Sequence, residues 1–168
     1  MLYLDTNVII AYCIDNDPDH NRALNIIETL RQNKNKFYAS TLSLVELYSV
    51  VSRNIQNYRL PPGIEELTDD RIKIRTTIAY FLKLLSLHIL SDEAKLIDLN
   101  HLKIFYEYFN AIKLAPLLKL KTLDLLHLAY AQELVTKKFI KAFITFDKEI
   151  LEKKDLILKT LKIEIIGG

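Results

Sequence analysis

Cysteine is nearly missing from this chain, tryptophan is missing altogether, and glycine occurs three times. With Cys13 as the lone cysteine, an internal disulfide is impossible and zinc-finger spacing is absent. The four histidines, His20, His88, His101 and His127, are scattered, so a zinc site has little support. Charge of one sign is lacking as well. Lysine and arginine total 23 against 21 acids, and the net charge of +2 excludes a strongly basic, histone-like binder. An acidic site with a basic rim is still compatible with that balance. No apolar run approaches the ~20 residues of a membrane span. The first residues read as a strand, without the charged start and small-residue cleavage pattern of a leader. A cytoplasmic protein with no membrane segment is expected.

What is present suits one folded unit. A length of 168 residues, half of them hydrophobic, can build a single domain, 1–168, with a proper core. Residues 1–4 are a short apolar run and read as a first strand. Asp5-Thr6-Asn7 supplies caps for a short helix over 8–14. After a polar break containing Pro18, a second helix carries Ala23, Ile26, Ile27 and Leu30 at helical spacing. Residues 37–39 form the next strand, and Ser40 and Thr41 cap a third helix bearing Leu42, Val45, Glu46 and Val50.

Pro61-Pro62-Gly63 marks a loop. Thr68-Asp69-Asp70 starts a long helix to about 87, and 88–90 is a short strand. Ser91-Asp92-Glu93 opens a further helical stretch, broken near Asn100. A helix over 104–115 is aromatic on one side and disturbed by Pro116. Thr122 caps a helix over 123–137, 140–146 is the clearest buried strand, Asp147 starts a short helix, and 161–166 is the last strand. This alternation predicts an α/β fold with a mainly parallel sheet covered on both faces. The stretch 54–103 stands out as a longer, mostly helical middle region, projecting from the core as an arm.

Four acids fall where such a fold places sites. Asp5 and Asp147 close apolar strands, in Leu2-Tyr3-Leu4-Asp5 and Ile144-Thr145-Phe146-Asp147. Ligands of an open parallel sheet bind beyond the carboxyl ends of its strands. Glu46 and Asp124 lie in helix segments dominated by leucine and valine, where an unpartnered carboxylate is costly. Taken singly, each acid has a structural explanation: Asp5 and Asp147 as N-caps, Asp124 as a first-turn charge on the helix dipole, Glu46 as an exposed helical residue. Together they would repel unless cations sat between them. Carboxylates without thiolates suit Mg²⁺ or Mn²⁺, one or two ions, and such sites handle phosphates.

Other acids carry less. Asp15, Asp17 and Asp19 alternate as in a calcium loop, but His20 and Ile26 stand where glycine and glutamate are needed. Asp69-Asp70 and Asp92-Glu93 read as surface charges at helix starts. His127, three residues after Asp124, reads as a packed, hydrogen-bonded core histidine.

At these residues the chain resembles the PIN-domain family of metal-dependent ribonucleases. It most resembles the small members that act as the toxin of VapBC toxin–antitoxin pairs. Leu4-Asp5-Thr6-Asn7, Ser43-Leu44-Val45-Glu46-Leu47, Asp124-Leu125-Leu126-His127-Leu128-Ala129 and Thr145-Phe146-Asp147 match its four acidic elements in order. Leu125 stands where many members have alanine, and the stretch 54–103 is longer than usual. The resemblance implies a three-layer α/β/α sandwich and hydrolysis of RNA phosphodiester bonds. It implies that Asp5, Glu46, Asp124 and Asp147 hold Mg²⁺ or Mn²⁺, while Thr6, Asn7 and Thr145 orient the carboxylates. An RNA substrate, an antitoxin protein and a homodimer are the partners implied. Two other readings compete. A phosphatase with Asp5 as nucleophile resembles the haloacid dehalogenases, but Asn7 stands where their second aspartate belongs, and Glu46 and Asp124 gain no role. A non-catalytic domain that binds RNA or protein is opposed by the intact acid set.

Overall fold

The computed structural model describes residues 1–91 and 95–167. Its elements run β1 (Leu2–Leu4), α1 (Thr6–Cys13), α2 (His20–Gln32), β2 (Phe37–Ser40) and α3 (Thr41–Asn54), then one turn of 3₁₀ helix (Ile55–Asn57). They continue with α4 (Pro62–Glu65), α5 (Asp70–Leu85), β3 (His88–Leu90), β4 (Leu96–Leu99), β5 (Leu102–Phe105) and α6 (Tyr106–Leu118). The chain closes with α7 (Thr122–Thr136), β6 (Ala142–Ile144), α8 (Lys148–Glu152), α9 (Lys154–Leu161) and β7 (Glu164–Ile166).

Five strands form one parallel sheet in the order β3-β2-β1-β6-β7. Alternation along the strands splits the core in two. Leu2 and Leu4 of β1, with Ala142 and Ile144 of β6, face a layer built from α1, α2, α3 and α5. Tyr3 and Phe143 face the opposite layer of α6, α7, α8 and α9. The result is the expected α/β/α sandwich around a parallel sheet. Burying each of the large apolar side chains contributes about 1.5–3 kcal/mol, and Leu2, Leu4, Ile9, Ile27, Leu47, Phe81 and Phe143 are all fully buried. No helix among the described residues is long and apolar enough to cross a membrane.

The strand order positions the site. From central β1 the chain moves outward to β2 and β3 on one side, and returns to β6 and β7 on the other. Beyond the ends of β1 and β6 the sheet therefore has a switch point, where a crevice opens. Leu4 pairs with Ile144, and the Asp5 amide donates to the Ile144 carbonyl at 2.9 Å. Asp5 and Thr145 thus leave the sheet side by side.

The middle region departs from its expected form in three places. Pro61-Pro62-Gly63 is more than a loop, because Pro62 begins the short helix α4, a position where its missing N–H costs nothing. Helix α5 lies against the core through Ile78, Phe81 and Leu85. The helix expected to open at Ser91-Asp92-Glu93 is instead the antiparallel hairpin β4–β5 over its later part, while Asp92 and Glu93 lie outside the described residues. Asn100 and His101 turn the hairpin with φ of 48° and 69°. A two-residue loop of type I′ has positive φ at both positions, usually met by Asn-Gly, and His101 occupies the glycine position. At α7, Thr122 is the first helical residue and the cap position falls on Lys121, with no side-chain hydrogen bond.

Candidate functional site

An open cleft of ≈ 440 Å³ at the carboxyl edge of the sheet is lined by Asp5, Thr6, Asn7, Glu46, Asp124, His127 and Asp147, among others. All four acids singled out in the sequence therefore converge. Each arrives on a different element: Asp5 after β1, Glu46 from the middle of α3, Asp124 from the first turn of α7, Asp147 after β6.

Asp5 is held most closely. It is the N-cap of α1, and Oδ1 accepts from the Thr6 amide at 2.7 Å. Oδ2 accepts from the Thr145 hydroxyl at 2.6 Å and the Asn7 amide at 3.1 Å. Asn7 also reaches Thr145 Oγ1 at 3.3 Å and accepts from the Phe146 amide at 3.2 Å, which ties the two strand ends together. Burial raises the Asp5 pKa and the Glu46 charge adds to it, while His127 and the donors pull the other way without cancelling the rise.

Glu46 is half-buried, and its hydrogen bonds fall on one oxygen. Oε2 accepts from the Thr6 hydroxyl at 2.6 Å and from His127 Nε2 at 2.7 Å. Burial pushes its pKa up, but the His127 hydrogen bond and charge, together with Thr6, outweigh that and hold it below the ordinary value. His127 is 2% exposed and its pKa is raised well above the usual value. Desolvation opposes that rise, and Tyr3, Glu46 and Asp5 overcome it.

Asp124 differs. Its Oδ2 is buried and has no hydrogen-bond partner. Burial first, then the charges of Asp147 and Asp5, push its pKa up to about 6. The lysine beside it, Lys121, pairs with Glu149 at 2.6 Å. Asp147 caps α8, and both cap bonds, from the Glu149 and Ile150 amides, fall on Oδ1 at 2.7 and 3.1 Å. The capping explanation of Asp5 and Asp147 is thus realised, yet it uses one oxygen of each. The expected orienting residues all touch a carboxylate or its neighbour: Thr6 on Glu46, Asn7 and Thr145 on Asp5, and Thr145 Oγ1 on the Asp147 amide at 3.0 Å.

The donor set fits a hard divalent cation: carboxylate oxygens in excess, no thiolate, and a buried carboxylate oxygen lacking a partner. Among the described residues, Asp5, Glu46 and His127 form a group that could hold an ion, with donor atoms within 4.8 Å of one another. Asp124 and Asp147 line the same cleft outside that group.

Sequence reasoning missed several residues. Asp17 and Asp19, dismissed with the calcium loop, line this cleft with Tyr58. Their turn folds back onto the site, and only the position of α1 against the sheet shows it. The link from His127 to Glu46 spans 81 residues and left no local signal.

The PIN domain model matches residues 2–156. No curated protein matches the chain. Among solved structures, it is similar to a chain of VapBC2 from Rickettsia felis bound to a DNA fragment from their promoter. That match has 18% identity and a TM-score of 0.56, covering 100% of this chain and 99% of that one. DNA-bound VapBC from Salmonella typhimurium gives 17% identity and a TM-score of 0.51, covering 99% of this chain and 96% of that one.

Proposed function

The chain belongs to the PIN-domain family, and on that premise we propose that it is a Mg²⁺- or Mn²⁺-dependent endoribonuclease, the toxin half of a toxin–antitoxin pair. The observation that carries the proposal is the meeting of Asp5, Glu46, Asp124 and Asp147 in one cleft, with an oxygen of Asp124 buried and unpartnered. Carboxylates gathered in one cleft repel one another, and although His127 offsets part of that repulsion, a bound cation would relieve the rest.

Asp5 and Glu46 are the carboxylates set in advance, through Thr6, Asn7, Thr145 and His127. Asp124 and Asp147 line the same cleft and would complete the carboxylate set around the cation. A divalent cation, when bound, supplies Lewis acidity toward water and phosphate oxygens.

The phosphatase reading loses ground on geometry. It gives Glu46 and Asp124 no role, although both line the cleft with Asp5. Asn7 donates to Asp5 and offers no acid to a leaving group.

The VapBC resemblance motivates an antitoxin partner and a cytoplasmic location. A homodimer is supported by the exposed apolar face of Phe105, Tyr108 and Ile112, while Ala111 and Leu114 of the same helix are buried. Light scattering should give twice the chain mass, and a Tyr108→Glu, Ile112→Glu double variant should shift it to the monomer.

The deciding experiment incubates the purified protein with a mixed RNA pool in Mn²⁺, Mg²⁺ or EDTA, and maps the cut ends. Cleavage with either ion, silence in EDTA, and products with 5′-phosphate and 3′-hydroxyl are expected. Cyclic 2′,3′-phosphate ends, or full activity in EDTA, would refute the mechanism.

A further inference from the structure

His127 belongs to a cation-sized group with Asp5 and Glu46, yet neither of its nitrogens is free. Nε2 meets Glu46 Oε2 at 2.7 Å, and Nδ1 lies 3.0 Å from the Tyr3 hydroxyl. Tyr3 in turn hydrogen-bonds with Ser40 Oγ at 2.7 Å and Ser43 Oγ at 3.1 Å. Every member of that inner chain is buried: Tyr3 0%, Ser43 0%, Ser40 1%, His127 2% exposed. Tyr3 is fixed further by stacking on Phe143, with centroids 5.2 Å apart.

The chain of hydrogen bonds closes a loop in space. It starts at Ser40, the N-cap of α3, crosses the central strand at Tyr3, passes to α7 at His127, and returns to α3 at Glu46. A buried polar network of this kind is unfavourable unless every member is satisfied, and here the members satisfy one another. Glutamate has three rotatable side-chain bonds, so a Glu46 on the middle of a helix needs outside contacts to hold one pose. Thr6 and His127 supply them, both on Oε2. Asp124 sits one helical turn before His127 on the same face of α7.

We infer that His127 is a positioning residue for the candidate metal centre and not one of its ligands: it pins Oε2 of Glu46, leaving Oε1 for the cation, and registers α3 against the turn of α7 that carries Asp124. Tyr3 acts one step further out by holding the imidazole. The inference rests on the cation-binding reading of the cleft, and it reverses the role that proximity alone would give to His127. Loss of a residue that orients a ligand weakens metal binding by about 10–100-fold.

The test measures Mn²⁺ binding to the full chain by calorimetry, and nitrogen coupling to bound Mn²⁺ by pulsed electron paramagnetic resonance. Parent, His127→Gln, His127→Leu and Tyr3→Phe proteins are compared, each with a thermal melt. The parent should bind Mn²⁺ with no directly bonded nitrogen. His127→Leu should bind about 10–100-fold more weakly. His127→Gln, whose amide N–H can reach the Nε2 position, should recover most of that loss, and Tyr3→Phe should fall between. A directly bonded nitrogen in the parent would overturn the inference, and so would parental affinity in folded His127→Leu. A purely structural histidine would lower the melts and leave the affinity of folded protein unchanged, which also overturns it. Should His127→Leu not fold, the parent resonance spectrum and the Gln and Phe variants decide in its place. A parent that binds no Mn²⁺ would refute the cation-binding reading itself, and this role with it.

Discussion

Asp5 and Asp124 border the same cleft, but the protein treats them differently. Asp5 accepts three hydrogen bonds, from Thr6, Asn7 and Thr145. Glu46 beside it accepts two. Asp124 keeps a buried oxygen without a partner and is raised by burial and by the charges of Asp147 and Asp5. One wall is set by hydrogen bonds before anything binds. The other carries unrelieved desolvation and repulsion that a cation would relieve. The difference teaches that a carboxylate cluster need not be uniformly unstable. Donors fix the pose of Asp5, although burial and the Glu46 charge still raise its pKa, whereas Asp124 bears burial and repulsion with no donor on Oδ2.

The largest effect is expected from breaking the ordered wall at its centre. Asp5→Asn keeps an oxygen for the Thr6 amide but sets an N–H against the Asn7 amide that now donates to Oδ2. RNA cleavage should fall to background, and the rise in melting temperature on adding Mn²⁺ should shrink, because a ligand stabilises only as far as it binds the native state. In metal-free buffer the mismatched amide should cost about 1–2 kcal/mol, partly offset by loss of the charge.

Thr145→Val tests the same wall one step out. The hydroxyl donates to Asp5, accepts from the Asp147 amide and is completely buried. The nearly isosteric valine should destabilise by about 1–3 kcal/mol, the cost of leaving buried polar groups short of a partner. Mn²⁺ affinity, read by calorimetry, should drop by about 10–100-fold. Parental affinity would show that Asp5 holds its pose without help.

The repelled wall should answer to pH. In the unfolded chain Asp124 titrates near ~3.9, and in the fold at about 6. Between these values the native state holds a proton that the unfolded state has released, so metal-free stability falls as pH rises. The contribution is fully present below the unfolded value and lost once pH passes the folded one. Asp124→Asn should remove this slope, so that in EDTA the variant gains on the parent between pH 4.5 and 7.5 in urea titrations. A constant difference across that range would mean that Asp124 carries no strain.

Asp147→Asn should have the smallest effect. Asparagine caps helices about as well as aspartate, so stability should change by only a few tenths of a kcal/mol. Removing its charge should lower the Asp124 titration midpoint, measured by NMR, and cleavage should suffer less than in the Thr145 variant.

How much of this was legible in the chain differs by element. β1 and β6 were readable because both are short apolar runs closed by polar residues, the form a strand takes when both its faces are covered. The four acids were readable because their setting, at strand ends or among leucines, is unusual for carboxylates. The β4–β5 hairpin was not readable as such. Asn100 is followed by His101 where glycine would have announced a two-residue turn, and the half-exposed strands lack a clean alternation. The cleft-lining aspartates Asp17 and Asp19 had no local feature beyond a failed calcium pattern.

Periodicity pointed to a parallel sheet covered on both faces, and the setting of four acids, with the family resemblance of their motifs, to a shared carboxylate site. Such patterns are local: side-chain spacing decides which face of a strand or helix is buried, and a residue's neighbours decide whether an acid is out of place. The tertiary structure alone decided which of those acids are held and which are strained. Glu46 is oriented by Thr6, 40 residues before it, and by His127, 81 residues after it. Asp124 is raised by burial and then by the charges of Asp147 and Asp5 from two other elements. Hydrogen bonds and Coulomb forces act through space between segments that the fold brings together, and no stretch of sequence short enough to have a period records them.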